Sequence, residues 1–126
     1  MLLDTHAFLW LILDSPRLSE GANRVINDPA AELLVSAVTA YEIGLKHRLG
    51  KLPLPPRLSG DFAAVVQEMS AAPLAISLAH AEWAAKLDSA HRDPFDRLLA
   101  AQAVIENIPI ISADPALDAL GARRIW

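Results

Sequence analysis

Short apolar segments alternate with longer segments of helical periodicity along this chain. Apolar runs predict strands at residues 1–5, 33–36 and 108–112, a strand or extended connection at 74–77, and a weaker strand at 124–126. Helical spacing predicts helices at 7–13, 20–27, after 36 to about 48, 61–71, from about 79, and 94 to about 106. This alternation favours an α/β fold with a mostly parallel central sheet flanked by helices.

Polar residues and prolines mark the ends of several helices. Ser19 stands where an N-cap is expected for the helix at 20–27. Asp93 precedes Pro94, which combines a capping residue with proline at the first helical position. Gly50 and three prolines interrupt the periodicity, so we interpret residues 52–56 as a connection between helices.

Length and composition indicate one domain, residues 1–126. Of these residues 53% are apolar and 21% charged, which excludes disorder of the whole chain. The longest apolar run, residues 7–13, is far below the roughly 18 residues of a membrane span, and the chain lacks the pattern of a signal peptide. The absence of cysteine excludes disulfides and thiolate metal sites. We therefore expect a soluble cytoplasmic protein.

Asp4 closes the first predicted strand, and Asp114 comes two residues after the third clear one. Glu42 lies on the helix after the second strand, and Asp96 in the first turn of the helix opened by Pro94. Because ligands of open α/β sheets bind beyond the carboxyl ends of the strands, we expect these acids at one edge. Clustered carboxylates repel one another, and a hard divalent ion such as Mg²⁺ or Mn²⁺ would compensate. Such ions generate hydroxide and stabilise phosphoryl-transfer charge, so the expected reaction is phosphodiester hydrolysis.

The acids in the first half of the chain also have purely structural interpretations. Asp4 could cap the helix that follows it. Glu42 could complete a capping box with Thr39, although a helix that starts at Ser36 would place Glu42 deeper inside.

The acids in the second half have similar alternatives. Asp96 could complement a helix dipole, Asp93 fits an N-cap, and Asp114 before Pro115 is typical of a turn. The joint placement of the acids, rather than any one of them, favours a functional site.

Four stretches carry a resemblance to a known family. They read LLDTH at 2–6, VSAVTAYEI at 35–43, HRDPFDRLLAAQA at 91–103 and IISAD at 110–114, of which the third is the most specific. With these stretches the sequence resembles the PIN-domain ribonucleases, and within them the VapC-type toxins of toxin–antitoxin pairs. The resemblance implies a single PIN-like domain that acts as a Mg²⁺-dependent endoribonuclease, with Mn²⁺ as a substitute.

The same resemblance implies a set of site residues and partners. The catalytic and metal-binding quartet is Asp4, Glu42, Asp96 and Asp114, and the further candidates are Thr5, Ser36, Asp93 and Ser112. Asp96 is preferred over Asp93 because the family register places the acid just before the Leu-Leu-Ala-Ala run. Ser112 stands where the family often has Thr. An RNA substrate, a homodimer and a cognate antitoxin whose tail covers the acidic pocket are the implied partners.

The net negative charge of the chain argues against binding nucleic acid through overall charge, so any such contact must be local or assisted by a metal ion. Fifteen acidic and eleven basic residues give a formal charge of −4, which two bound divalent ions would neutralise. Arg97, beside Asp96, is the preferred phosphate contact and Arg92 the second, whereas residues 46–48 are interpreted as a solvated helix face. His6 and His91 flank the site without an assigned catalytic role. A mean hydropathy of +0.29 suggests that another chain covers some apolar surface.

The main alternative is a non-catalytic metal-binding α/β module with a regulatory or interaction role. A response-regulator receiver would carry an acidic pair beside the first strand, but Asp4 is followed by Thr5 and His6. The chain has no GxGxxG or P-loop stretch, and His6 breaks the DxD motif of phosphatases. RNA cleavage with Mg²⁺ and with EDTA separates an enzyme from such a module.

Overall fold

The computed structural model describes residues 1–126 as a parallel five-stranded sheet with helices on both faces. Its strands are β1 (Leu2–Leu3), β2 (Leu34–Ser36), β3 (Ala72–Leu74), β4 (Ile110–Ile111) and β5 (Arg124–Ile125), in the spatial order β3-β2-β1-β4-β5. Its helices are α1 (Thr5–Ile12), α2 (Glu20–Ile26), α3 (Ala37–Arg48), α4 (Phe62–Glu68), α5 (Leu78–Lys86), α6 (Pro94–Ile105) and α7 (Ala116–Ala119). This architecture confirms the predicted α/β fold. None of the helices has the length and apolar character needed to span a membrane.

Strand β1 lies at the centre and aligns the strand ends that matter for the site. Leu3 is in register with Val35 of β2 and with Ile111 of β4. Because all three strands run in the same direction, the residues after these positions come to one edge of the sheet. The ends of β2, β1 and β4 therefore place three polar residues side by side: Ser36, Asp4 and Ser112.

The core has two layers because successive strand residues point to opposite faces. Leu3 and Ile111 belong to an apolar cluster that includes Phe8 of α1. Leu2 and Ile110 belong to the cluster on the other face, with Leu99 of α6. Burial on both faces explains why these strands read as continuous apolar runs.

The structure differs from the sequence prediction in two elements. Strand β3 lies at Ala72–Leu74, earlier than the predicted segment 74–77, and contains Pro73. Proline is tolerated there because β3 is an edge strand. The one-turn helix α7 was not predicted, since Ala116–Ala119 is too short to establish a periodicity.

Candidate active site

Asp4 connects the central strand to the first helix. It follows β1, is 5% exposed, and its Oδ1 accepts a hydrogen bond from the Ala7 backbone N–H at 2.6 Å. This bond makes Asp4 the N-cap of α1, as its structural interpretation predicted. The cap leaves the carboxylate at the carboxyl end of the sheet, so the structural and functional interpretations of Asp4 are compatible.

Asp96 is held at the start of α6 by two neighbours. Asp93 is the N-cap, and its Oδ1 accepts hydrogen bonds from the backbone N–H groups of Phe95 at 2.8 Å and Asp96 at 3.3 Å. The His91 Nε2 donates to the Asp96 Oδ2 at 2.8 Å. The predicted capping role of Asp93 is confirmed, and His91 contacts a candidate site acid.

Asp114 follows β4 and is exposed. Its Oδ1 accepts a hydrogen bond from the Ala116 N–H at 2.8 Å, and its own N–H donates to the Ser112 Oγ at 3.0 Å. Ser112 is fully buried at the end of β4. Asp114 thus has the predicted turn geometry and lies beside one of the candidate hydroxyl groups.

Electrostatics link the three aspartates. Burial raises the pKa of Asp4, and repulsion from Asp96 adds to this increase. Three interactions oppose the increase: the hydrogen bonds from Ser112 and Ala7, and the charge of His6. Burial also raises the pKa of Asp96, against hydrogen bonding from His91, while repulsion from Asp93 and Asp114 adds to the increase. Asp96 is therefore repelled by both Asp4 and Asp114. We call these three residues the aspartate group.

Glu42 is placed differently from the aspartate group. Ser36 caps α3 by accepting a hydrogen bond from the Val38 N–H at 2.9 Å, so Glu42 lies inside the helix and is 4% exposed. The capping box with Thr39 is wrong, because Thr39 is not the N-cap and its buried hydroxyl has no hydrogen-bond partner. One carboxylate oxygen of Glu42 accepts from the Thr5 hydroxyl and the other pairs with the Lys46 ammonium.

A fully buried glutamine ties the elements of the site together. Ser36 donates to the Gln102 Oε1 at 2.6 Å, and the Gln102 Nε2 donates to the Ala75 carbonyl at 3.2 Å. Gln102 of α6 thereby fixes the end of β2, from which α3 and Glu42 begin. The sequence motif contained Gln102, but nothing in its spacing indicated this contact.

Two basic side chains make contacts that were not predicted. The Arg97 guanidinium donates to the backbone carbonyls of Ala84, Leu87 and His91 and so joins α6 to the end of α5, which makes it a weaker candidate for the predicted phosphate contact. Arg92 is exposed and stays a candidate. Lys46 does not belong to a solvated face, since it pairs with Glu42 and its side chain is only 32% exposed. The Glu-to-Lys spacing of four residues was the available signal.

The donor chemistry of the site fits a hard divalent ion. As the side chains stand, no three carboxylate or imidazole groups lie close enough together to hold a metal ion. The aspartate group nevertheless supplies only oxygen donors and carries unfavourable like charge, which a Mg²⁺ ion would relieve if the side chains moved together. Asp4 and Asp114 thus follow β1 and β4, and Asp96 interacts electrostatically with both. Glu42 contacts Thr5 and Lys46 instead, so a metal site shared by all four acids stays a prediction.

This combination of a parallel sheet and acidic strand ends agrees with the family comparison. A model of the PIN domain family matches residues 1–122. The chain therefore belongs to the PIN domain family. No curated protein gives a significant match in sequence.

Three solved structures share the fold of this chain. VapBC2 from Rickettsia felis bound to a DNA fragment from their promoter has a TM-score of 0.68 at 10% identity, over 98% of this chain and 95% of that chain. FitAcB from Neisseria gonorrhoeae has 0.62 at 20% identity, over 98% and 94%. A toxin–antitoxin complex from Klebsiella pneumoniae has 0.60 at 16% identity, over 90% and 85%. At these identities the likeness establishes the fold.

Proposed function

We propose that this chain is a Mg²⁺-dependent endoribonuclease and the toxin of a toxin–antitoxin pair. The observation that carries the proposal is the aspartate group of this PIN domain, in which Asp4 and Asp114 follow β1 and β4 and Asp96 is repelled by both. Burial and mutual repulsion raise the pKa of Asp4 and of Asp96, and a bound cation would offset both effects. These are the properties expected of a metal-dependent phosphodiester hydrolase.

The residues that would hold the ion are Asp4, Asp96 and Asp114, with Glu42 as the fourth. The ion would supply a water-derived hydroxide and stabilise the charge that develops on the scissile phosphate. Ser112 orients the group, because its hydroxyl interacts with Asp4 and accepts from the Asp114 N–H. Thr5 orients Glu42 in the same way.

The start of α6 would set the position of the third ligand. The Asp93 cap fixes the first turn of the helix, and the His91 imidazole donates a hydrogen bond to the Asp96 carboxylate. Arg92 is exposed between these two residues and is our candidate for contact with an RNA phosphate. Because the proposed substrate is RNA, we place the activity in the cytoplasm.

A cognate antitoxin is the proposed protein partner, as in the toxin–antitoxin complex from Klebsiella pneumoniae that shares this fold. An apolar groove of about 700 Å³ lies beside Ser36, with Phe62, Val66 and Leu74 in its lining. An apolar helix of the antitoxin would fit such a groove, and an arginine on its tail would pair with the carboxylates in place of the ion. A homodimer is also part of the proposal.

RNA cleavage by the purified full-length chain tests the activity. We expect cleavage with Mg²⁺, none with EDTA, and recovery when Mg²⁺ is added back. Asp4→Asn should abolish cleavage, because it removes one ligand charge while asparagine still caps α1. Asp61→Asn is the matched control, since Asp61 caps α4 through the Ala63 N–H and is not one of the site acids.

Two outcomes would contradict the proposal. Cleavage that persists in EDTA would exclude a divalent ion from the reaction. A folded chain that binds Mn²⁺ yet leaves RNA intact would instead favour the non-catalytic metal-binding module.

A further inference from the structure

The Glu42 carboxylate is fully engaged although it is almost completely buried. Its side chain is 6% exposed, and its two oxygens contact the Thr5 hydroxyl and the Lys46 ammonium. A buried carboxylate needs such partners, because an isolated charge in this position would be strongly destabilising. The negative charge of Glu42 is therefore already compensated by a cation of the chain itself.

Lys46 lies where α3 faces the start of α6. Its Nζ is 6.0 Å from the centre of the Phe95 ring, and Phe95 immediately precedes Asp96. The ammonium therefore lies between Glu42 on its own helix and the turn that carries another candidate ligand. With a third of its side chain exposed, Lys46 has a path to solvent if Glu42 takes another partner.

No other site acid has a comparable partner. Asp4, Asp96 and Asp114 make no ion pair with a lysine or an arginine, and the only pair among them is that of Asp96 with His91. The donors of Arg97, which is next in sequence to Asp96, are used by backbone carbonyls. The internal cation thus acts at one member of the quartet.

We infer that Lys46 is a resident counter-ion that competes with the divalent ion for Glu42 and thereby weakens metal binding. This inference rests on the proposed function. A divalent ion that takes Glu42 as a ligand must either displace the ammonium or bind in its repulsive field, and both cost free energy. Lys46 would set the concentration of metal at which all four acids act together.

Calorimetric titration of Mn²⁺ into the metal-free full-length chain, without RNA, tests this competition. Lys46→Met removes the charge, and we expect binding to become about tenfold tighter, which corresponds to about 1.4 kcal/mol. Lys46→Gln removes the charge but can still donate to Glu42, and should also bind more tightly. Lys46→Arg should resemble the wild type.

The matched control is Arg48→Met, which makes the same change in net charge on the same helix at an exposed residue without an ion pair. Its Mn²⁺ affinity should stay within about twofold of the wild type because exposed charges are screened. If the Mn²⁺ affinity of Arg48→Met rose as much as that of Lys46→Met, the effect would come from the net charge of the chain alone, and the inference would be overturned.

Thermal unfolding separates competition from a merely structural role. Lys46→Met should unfold at a lower temperature than the wild type in EDTA, because Glu42 loses its partner. When Mn²⁺ is added, the unfolding temperature of Lys46→Met should nevertheless rise by more than that of the wild type. A lower unfolding temperature with an unchanged gain would show that Lys46 only supports the fold.

Unchanged or weaker Mn²⁺ binding by both Lys46→Met and Lys46→Gln would overturn the inference while leaving the proposed function intact. Absence of Mn²⁺ binding in the wild type and in both variants would overturn the proposed function itself, and the inference with it.

Discussion

The two sides of the acidic edge differ in how they compensate negative charge. The aspartate group has no lysine or arginine partner, and the pKa values of Asp4 and Asp96 are raised. Glu42, in contrast, accepts a hydrogen bond from the Thr5 hydroxyl and pairs with Lys46. The aspartate group is therefore the side that a cation would stabilise most, whereas Glu42 has to exchange one cation for another.

Activity should be most sensitive on the aspartate side. Asp96→Asn is expected to lower RNA cleavage by at least about 100-fold, because one ligand charge is lost while the amide still fits beside His91. Cleavage of a labelled RNA in Mg²⁺ checks this expectation, and circular dichroism of the same variant verifies that it is folded. Asp118→Asn, an exposed acid paired with Arg124, is the control and should retain activity. Wild-type cleavage by folded Asp96→Asn would remove Asp96 from the site.

Without metal, the free energy of unfolding should fall only for the substitution on the Glu42 side. Asp4→Asn removes a buried, repelled charge and keeps the cap, so the free energy of unfolding in EDTA should stay equal or rise. Glu42→Gln leaves Lys46 without its partner and should lower that free energy by about 1–2 kcal/mol. Urea unfolding of both variants measures the difference. Equal destabilisation by the two substitutions would show that the two sides do not differ.

The cap of α6 offers a separate test of the aspartate side. Asp93→Ala should lower the free energy of unfolding by about 0.5–2 kcal/mol, because two backbone N–H groups lose their acceptor. Asp93→Ser should preserve most of the stability and activity, since serine is also a good cap. If Asp93→Ser were stable but inactive, Asp93 rather than Asp96 would be the ligand.

The pH dependence of stability should carry the signature of the aspartate group. The pKa of Asp4 is raised above its usual 3.8, so the folded chain binds protons more tightly than the unfolded chain. The stabilisation this group gives is complete below its unfolded pKa and is lost as pH rises through the folded pKa. In EDTA the wild type should therefore lose more unfolding free energy than Asp4→Asn between about pH 4 and neutrality. Parallel pH profiles would contradict the raised pKa.

Local sequence chemistry predicted much of this molecule. Ser19 and Asp93 were identifiable as caps because an N-cap depends on a few consecutive residues. The strand ends at Asp4 and Ser112 followed from continuous apolar runs, which parallel strands require. These features predicted that the four acids would lie at one edge of the sheet.

Contacts that depend on how separate elements pack could not be predicted in the same way. Arg97 was expected to contact a phosphate, but its guanidinium donates to three backbone carbonyls at and after the end of α5. These acceptors come within reach only when α5 and α6 pack together. Gln102 reaches Ser36 across 66 residues. The Lys46 pair was local and readable from its spacing, yet its burial depends on the packing of α3 against α6.

The most direct test of the account is the position of a bound metal ion. Crystals of the full-length chain soaked in Mn²⁺ should give an anomalous scattering peak within coordination distance of Asp4, Asp96 and Asp114, with Glu42 turned toward it and away from Lys46. A peak at another place, or no peak at these carboxylates in crystals saturated with Mn²⁺, would contradict the assignment of this edge as a metal-dependent active site.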